Sequence, residues 1–204
     1  LPSGKQQWRK PLREAFDWLR DKLIPLYTEQ IGKYVSDPWK VRNSYISVLH
    51  DRSPENMEAF VLGVTGKKLQ QEDKVRLLKL LEIQRNALLM YTSCGWFFDD
   101  ISGIETVQVI QYAGRAMQLA KEVGGPDYEQ EFMQILEKAP ANYREVASGK
   151  DVYEQFVKPA SIDLNRVGAH LALSSLFQEY PEEIDIYCYQ ADIESYKRQE
   201  AGIQ

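Results

Sequence analysis

Apolar residues recur at spacings of three and four through most of the chain, the period of one face of an α-helix. Leu12, Phe16, Leu19, Leu23, Leu26 and Tyr27 form the first such stripe, with Pro11 where a first helical turn tolerates proline. Pro25 falls inside the stripe and predicts a kink or break. Asp37-Pro38 and Ser53-Pro54 are cap-then-proline starts for helices over 39–49 and 55–64, and Thr65-Gly66 ends the second. The longest pattern opens on Gln71-Glu72-Asp73, acids suited to a positive helix end, and passes through Val75, Leu78, Leu81, Leu88 and Leu89 toward Phe98. At ~1.5 Å per residue it predicts a central strut of about 40 Å. Ser102 and Glu105 have capping-box spacing for a helix to about Val123, where Gly124-Gly125 stops it. Asp127 is placed to cap the next helix, which carries Phe132, Ile135 and Leu136. A loop over 139–150 follows, then helical segments over 151–158 and 161–180 on either side of Pro159.

The period changes in EIDIYCYQADIE, where Ile184, Ile186 and Cys188 alternate with Asp185, Tyr187 and Tyr189 as in a strand. A lone strand is unstable, so its sheet partners are expected beyond Gln204. The pattern as a whole predicts an all-α fold: a multi-helix bundle around one long central helix, with a short strand-like C-terminal tail. The helical domain is expected over 1–182 and the tail, leading toward a β region, over 183–204.

Composition narrows the chemistry. At 204 residues, 44% hydrophobic and 27% charged, the chain is that of a globular domain with a sizeable core. No apolar run approaches the ~18 residues of a membrane span, and LPSGKQQW at the start is no secretory signal. The absent initiator Met fits a processed or excised fragment. A net charge of -5, with Lys and Arg interleaved among acids as in REAFDWLRDK, argues against a nucleic-acid surface. Cys94 and Cys188 are far apart and form no CxxC pair, which fits a reducing, cytoplasmic setting. With His50 and His170 the only histidines, a His-rich metal centre is excluded, although a carboxylate-only site is not, and no cofactor is expected.

One segment, MYTSCGWFFDDISGIET over 90–106, departs from its surroundings. Gly95 in a helical pattern costs ~1 kcal/mol against Ala. Asp99 and Asp100 stand where the negative end of the long helix is expected. Trp96, Phe97 and Phe98 point three ways around a helix and cannot all face one seam. Rule violations gathered in one place mark functional or strained sites. The plainer reading is a helix corner, with the aromatics as core and Asp100 as a capping aid. The chemistry the residues suit is sugar binding, since an indole stacks on a pyranose face and carboxylates accept from adjacent hydroxyls. As a glycosidase acid/nucleophile pair, Asp99 and Asp100 fail, because helix neighbours diverge by ~100° instead of flanking a scissile bond.

Other residues carry less. His170, four residues after Arg166 on an apolar helix, reads as a satisfied core histidine, and His50 at a helix end as structural. Acids beside Cys94 oppose a lowered thiol pKa. GVTGKK lacks P-loop spacing, and there is no nucleophile elbow.

From LLKLLEIQRNALLMYTSCGWFFDDISG, with WRKPLREAFDWLRD before it and VYEQFVKPASIDLNRVGAHLALSSLF and PEEIDIYCY after it, the chain resembles a known family nearly end to end. It is similar to the helical domain of uncharacterised function that follows the catalytic barrel in bacterial and archaeal proteins of glycoside hydrolase family 57. The resemblance implies a parent glycoside hydrolase or transglycosylase acting on α-glucan-like substrates, with its catalytic carboxylates in a barrel outside this chain. The partners it implies are that barrel of the same polypeptide and a carbohydrate substrate, with no nucleic acid and no membrane. The helical domain would pack on the barrel's open face, placing Cys94, Trp96, Asp99 and Asp100 nearest the sugar. It assigns no catalytic residue here, and this stretch alone is expected to be inactive. The alternative, from another class, is a helical packing or oligomerisation module that touches no ligand.

Overall fold

The computed structural model describes residues 6–142, 146–186 and 189–197. The chain divides into two units, 1–161 and 162–204.

The first unit is helical. A 3-10 turn, Gln6–Trp8, leads into α1, Arg9–Ile31, whose stripe of Leu12, Phe16, Leu19, Leu23 and Tyr27 is fully buried. Pro25 does not break it: the helix runs on for six more residues, and Thr28 Oγ1 donates to the Ile24 carbonyl at 3.0 Å. The two cap-then-proline signals hold. Asp37 accepts from the Lys40 amide at the start of α2, Pro38–Ser44, which continues through Tyr45 into α3, Ile46–His50. Ser53 caps α4, Pro54–Thr65, and Gly66 closes it at φ 68°, a left-handed conformation natural to glycine.

α5, Gln71–Leu89, lies between α1 and α6 and is central as the sequence suggests. It is shorter than expected, about 28 Å long, and stops nine residues before Phe98. Thr92 Oγ1 donates back to the Leu89 carbonyl at 2.7 Å, satisfying one of the last acceptors, and a 3-10 turn, Ser93–Trp96, follows. The longest helix is therefore α1, with 23 residues.

α6, Ile104–Glu122, begins without the expected capping box: Gly103 is the N-cap, and Ser102 turns its hydroxyl to Asp100. A nearer buried acceptor wins over the helix end. Gly124, at φ 78°, ends the helix as its sequence implies. Asp127 accepts from the Glu129 amide at the start of α7, Glu129–Leu136. Beyond the loop, Ser148 and Asp151 form a capping box for α8, Gly149–Val152. It relaxes into a π turn, Tyr153–Val157, and a 3-10 turn, Lys158–Ala160, as Pro159 withholds an amide. The core is one continuous cluster centred on α1, α5 and α6.

The second unit holds α9, Leu164–Ser174, capped by the Asp163 carboxylate on the Arg166 amide at 2.9 Å. A hairpin follows, β1 Glu183–Ile186 and β2 Tyr189–Asp192, antiparallel with Ile184 opposite Ala191. The strand expected from alternation is present, and it is not alone: it has a partner within the chain, β2. Tyr187 and Cys188 of the alternating stretch lie outside the described residues.

Candidate functional site

The segment between α5 and α6 is held from behind at four points. Its chain turns because Thr92 caps α5 and Gly95 lies directly against α6. A Cβ on Gly95 would come within 2.5 Å of Val109 Cγ2, so glycine alone allows this approach. The Gly95 carbonyl accepts from the buried Thr106 hydroxyl at 2.9 Å. Trp96 turns inward, stacked on Trp8 at a centroid distance of 6.3 Å and edge-on to Phe16 at 5.9 Å. The Asp99 carbonyl accepts from the indole N–H of Trp8 at 3.1 Å and from the Asn142 side-chain amide.

Asp100 is the fourth point. Its side chain is 2% exposed, and Oδ1 accepts from the Ser102 amide at 2.8 Å and from the Ser102 hydroxyl. Oδ2 accepts from the backbone amide of Asn142. A buried carboxylate surrounded by donors ties the start of α6 to the loop before α8.

What faces outward differs from what faces in. Cys94 and Asp99 are exposed, as are Phe97 at 76%, Phe98 at 51% and Ile104 at 80%. The four residues singled out from the sequence thus lie on one segment in two roles: Trp96 and Asp100 point into the fold, while Cys94 and Asp99 reach solvent. Cys94 and Trp96 sit in the 3-10 turn and Asp99 and Asp100 in the bend after it, not on an α-helix, yet the two carboxylates still do not face one another, since one is buried and the other exposed. Sequence reasoning recognised that the aromatic triplet could not share one seam. It missed Phe97 and Phe98 as the outward pair, and Trp8 and Asn142 as anchors, because those contacts cross 91 and 43 residues.

A polar cluster adjoins the segment at Tyr91, whose hydroxyl donates to Asp17 Oδ1 at 2.7 Å. Arg13 stacks over the Tyr91 ring at 4.8 Å and bonds Asp17, which Arg20 also reaches at 2.8 Å. Burial, and then the Asp17 carboxylate, push the Tyr91 phenol up, so it stays a donor. Among the described residues no group of three or more His, Cys, Asp or Glu converges as a metal centre would require. None of the described helices is long and apolar enough to cross a membrane.

Chemically the segment offers two exposed rings, one free carboxylate and a thiol on a backbone that is firmly fixed. With Asp100 buried and Asp99 exposed, these neighbouring acids do not form a facing pair. No curated protein and no solved structure matches the chain. A family model matches residues 5–204, nearly the whole length, and the chain belongs to that family, described as a domain of unknown function, DUF3536.

Proposed function

We propose that this domain is an accessory module of a family-57-type glycoside hydrolase, packing on the catalytic barrel and lending the bend between α5 and α6 to a carbohydrate cleft. The observation that supports it is the pair Phe97 and Phe98, exposed beside the free Asp99 on a segment pinned at four points. Burial of apolar rings is the ordinary outcome of folding, so rings held rigidly outward serve a surface contact. Ring faces stack on pyranose C–H groups and a carboxylate accepts from hydroxyls, with little ordering cost on a fixed backbone. Trp96 and Asp100 then position the bend, while Phe97, Phe98 and Asp99 meet the sugar.

The test uses the barrel-bearing parent protein. Phe97→Ala, Phe98→Ala and Asp99→Asn are expected to raise KM for malto-oligosaccharides while leaving urea unfolding of the helical domain unchanged. Unaltered kinetics in all three would overturn the cleft role. A second reading is favoured by Ile104, another apolar residue, 80% exposed at the start of α6: the exposed apolar side chains of this region pack on a protein and touch no ligand. It expects the ring substitutions to loosen the barrel's grip on this domain, seen as separate unfolding transitions, with KM unmoved.

A further inference from the structure

A second feature of the first unit is a groove whose lining reaches Leu89, the residue at which α5 ends. The groove between α2–α3 and the last turns of α5 encloses about 320 Å³ and is lined mainly by apolar side chains. Leu81 forms its buried floor, while Ile46 at 53% and Leu88 at 59% exposure stand at its mouth. Leucine and isoleucine projecting from well-formed helices on either side of one groove are an uncovered apolar surface.

Charge decides what suits it. The two charged residues that line the groove, Arg42 and Arg85, are both cationic. Arg42 is stacked over Trp39 at 4.9 Å and donates twice to Asn43 Oδ1, so its head group is fixed, yet among the described residues no carboxylate pairs with it. The acid behind the groove, Glu82, is already engaged by Tyr45 at 2.8 Å, Arg85 at 3.1 Å and Arg52 at 3.7 Å. The groove therefore offers a fixed guanidinium that lacks a counter-charge, next to an apolar floor. A second copy of the same surface would bring arginine onto arginine, which disfavours self-pairing. A small amphipathic anion would leave much of its surface in water in so open a groove. An amphipathic helix from a partner protein, with apolar residues one turn apart and an acid beside them, satisfies both floor and rim.

We infer that this groove docks an acidic amphipathic helix of a partner protein, Leu88 and Ile46 receiving its apolar face and Arg42 its carboxylate. The inference is independent of the carbohydrate reading.

The test selects a random-peptide library on the 204-residue chain, then measures the enriched peptides against variants at exposed positions that leave the core intact. Expected are peptides with apolar residues at i and i+3 or i+4 and a neighbouring Asp or Glu, weakened at least about tenfold by Leu88→Glu. Selection on Arg42→Glu should replace the acid with Lys or Arg. Binders indifferent to Leu88→Glu, no enrichment, or no change of charge preference would each overturn the proposal. So would sedimentation showing dimers that Leu88→Glu dissociates, which would assign the groove to a second copy. Unchanged circular dichroism confirms that each variant is folded.

Discussion

The indole N–H of Trp8 meets the backbone carbonyl of Asp99 at 3.1 Å, across 91 residues of chain. The same indole ring stacks on Trp96, so one residue before α1 fixes both the side chain and the backbone of the bend between α5 and α6. The Asp99 carbonyl has a second donor in the Asn142 side chain. Trp8→Phe keeps a ring but deletes the N–H, and it should cost at least about 1 kcal/mol in urea unfolding. Because Trp8 and Asn142 share one acceptor, Trp8→Phe and Asn142→Ala should combine non-additively, with a coupling of about 0.5 kcal/mol or more in a double-mutant cycle.

The two neighbouring aspartates should respond oppositely. Asp100 is buried with three donors on its carboxylate, and Asp100→Ala leaves all three without it. A loss of about 3 kcal/mol is expected by urea denaturation. Asp99 presents its side chain to solvent, so Asp99→Ala should stay within about 0.5 kcal/mol of wild type. Equal effects at the two positions would contradict this division of roles.

Gly95→Ala forces a methyl into a space where Val109 Cγ2 stands 2.5 Å away. Overpacking of this kind is expected to cost about 1–3 kcal/mol. Val109→Ala in the same chain should recover part of that loss, since it removes the clashing methyls. Thermal melts of the two single variants and the pair give the comparison.

Acid should weaken the cluster at Tyr91. Burial acts on Asp17 by raising its pKa, but hydrogen bonds from Tyr91 and Arg13 and the charges of Arg13 and Arg20 outweigh it and hold the carboxyl below its usual value. A group whose pKa is lowered on folding contributes stability that is complete above the unfolded value. That contribution disappears as pH falls through the lowered folded value. The difference in Tm between wild type and Asp17→Asn should therefore be widest near neutral pH and close in acid. Tyr91→Phe, which removes a donor to Asp17, should shift the closing point toward higher pH.

Much of the fold is legible in one dimension because its causes are local. The buried stripe of α1, the caps at Asp37 and Ser53, and the glycine stops at Gly66 and Gly124 depend on residues within a few positions of one another. The periodicity of EIDIYCYQADIE likewise announced a strand, though not that the chain would fold back within ten residues to pair it. The early end of α5 was harder to see. Its apolar spacing continues past Leu89, while the contacts that go with the bend, such as the close approach of Gly95 to Val109, are distant along the chain.

By itself the sequence determined that residues 94–105 are out of keeping with their surroundings: Gly95, three aromatics and the Asp99-Asp100 pair have no single helical face to share. Which of them serve the fold and which serve the surface was decided by the tertiary structure. Trp8, Thr106, Val109 and Asn142 draw Gly95, Trp96 and Asp100 inward and leave Cys94, Phe97, Phe98 and Asp99 outside. Those partners lie far away along the chain, and a side chain's direction follows from what packs against it, which local spacing does not encode.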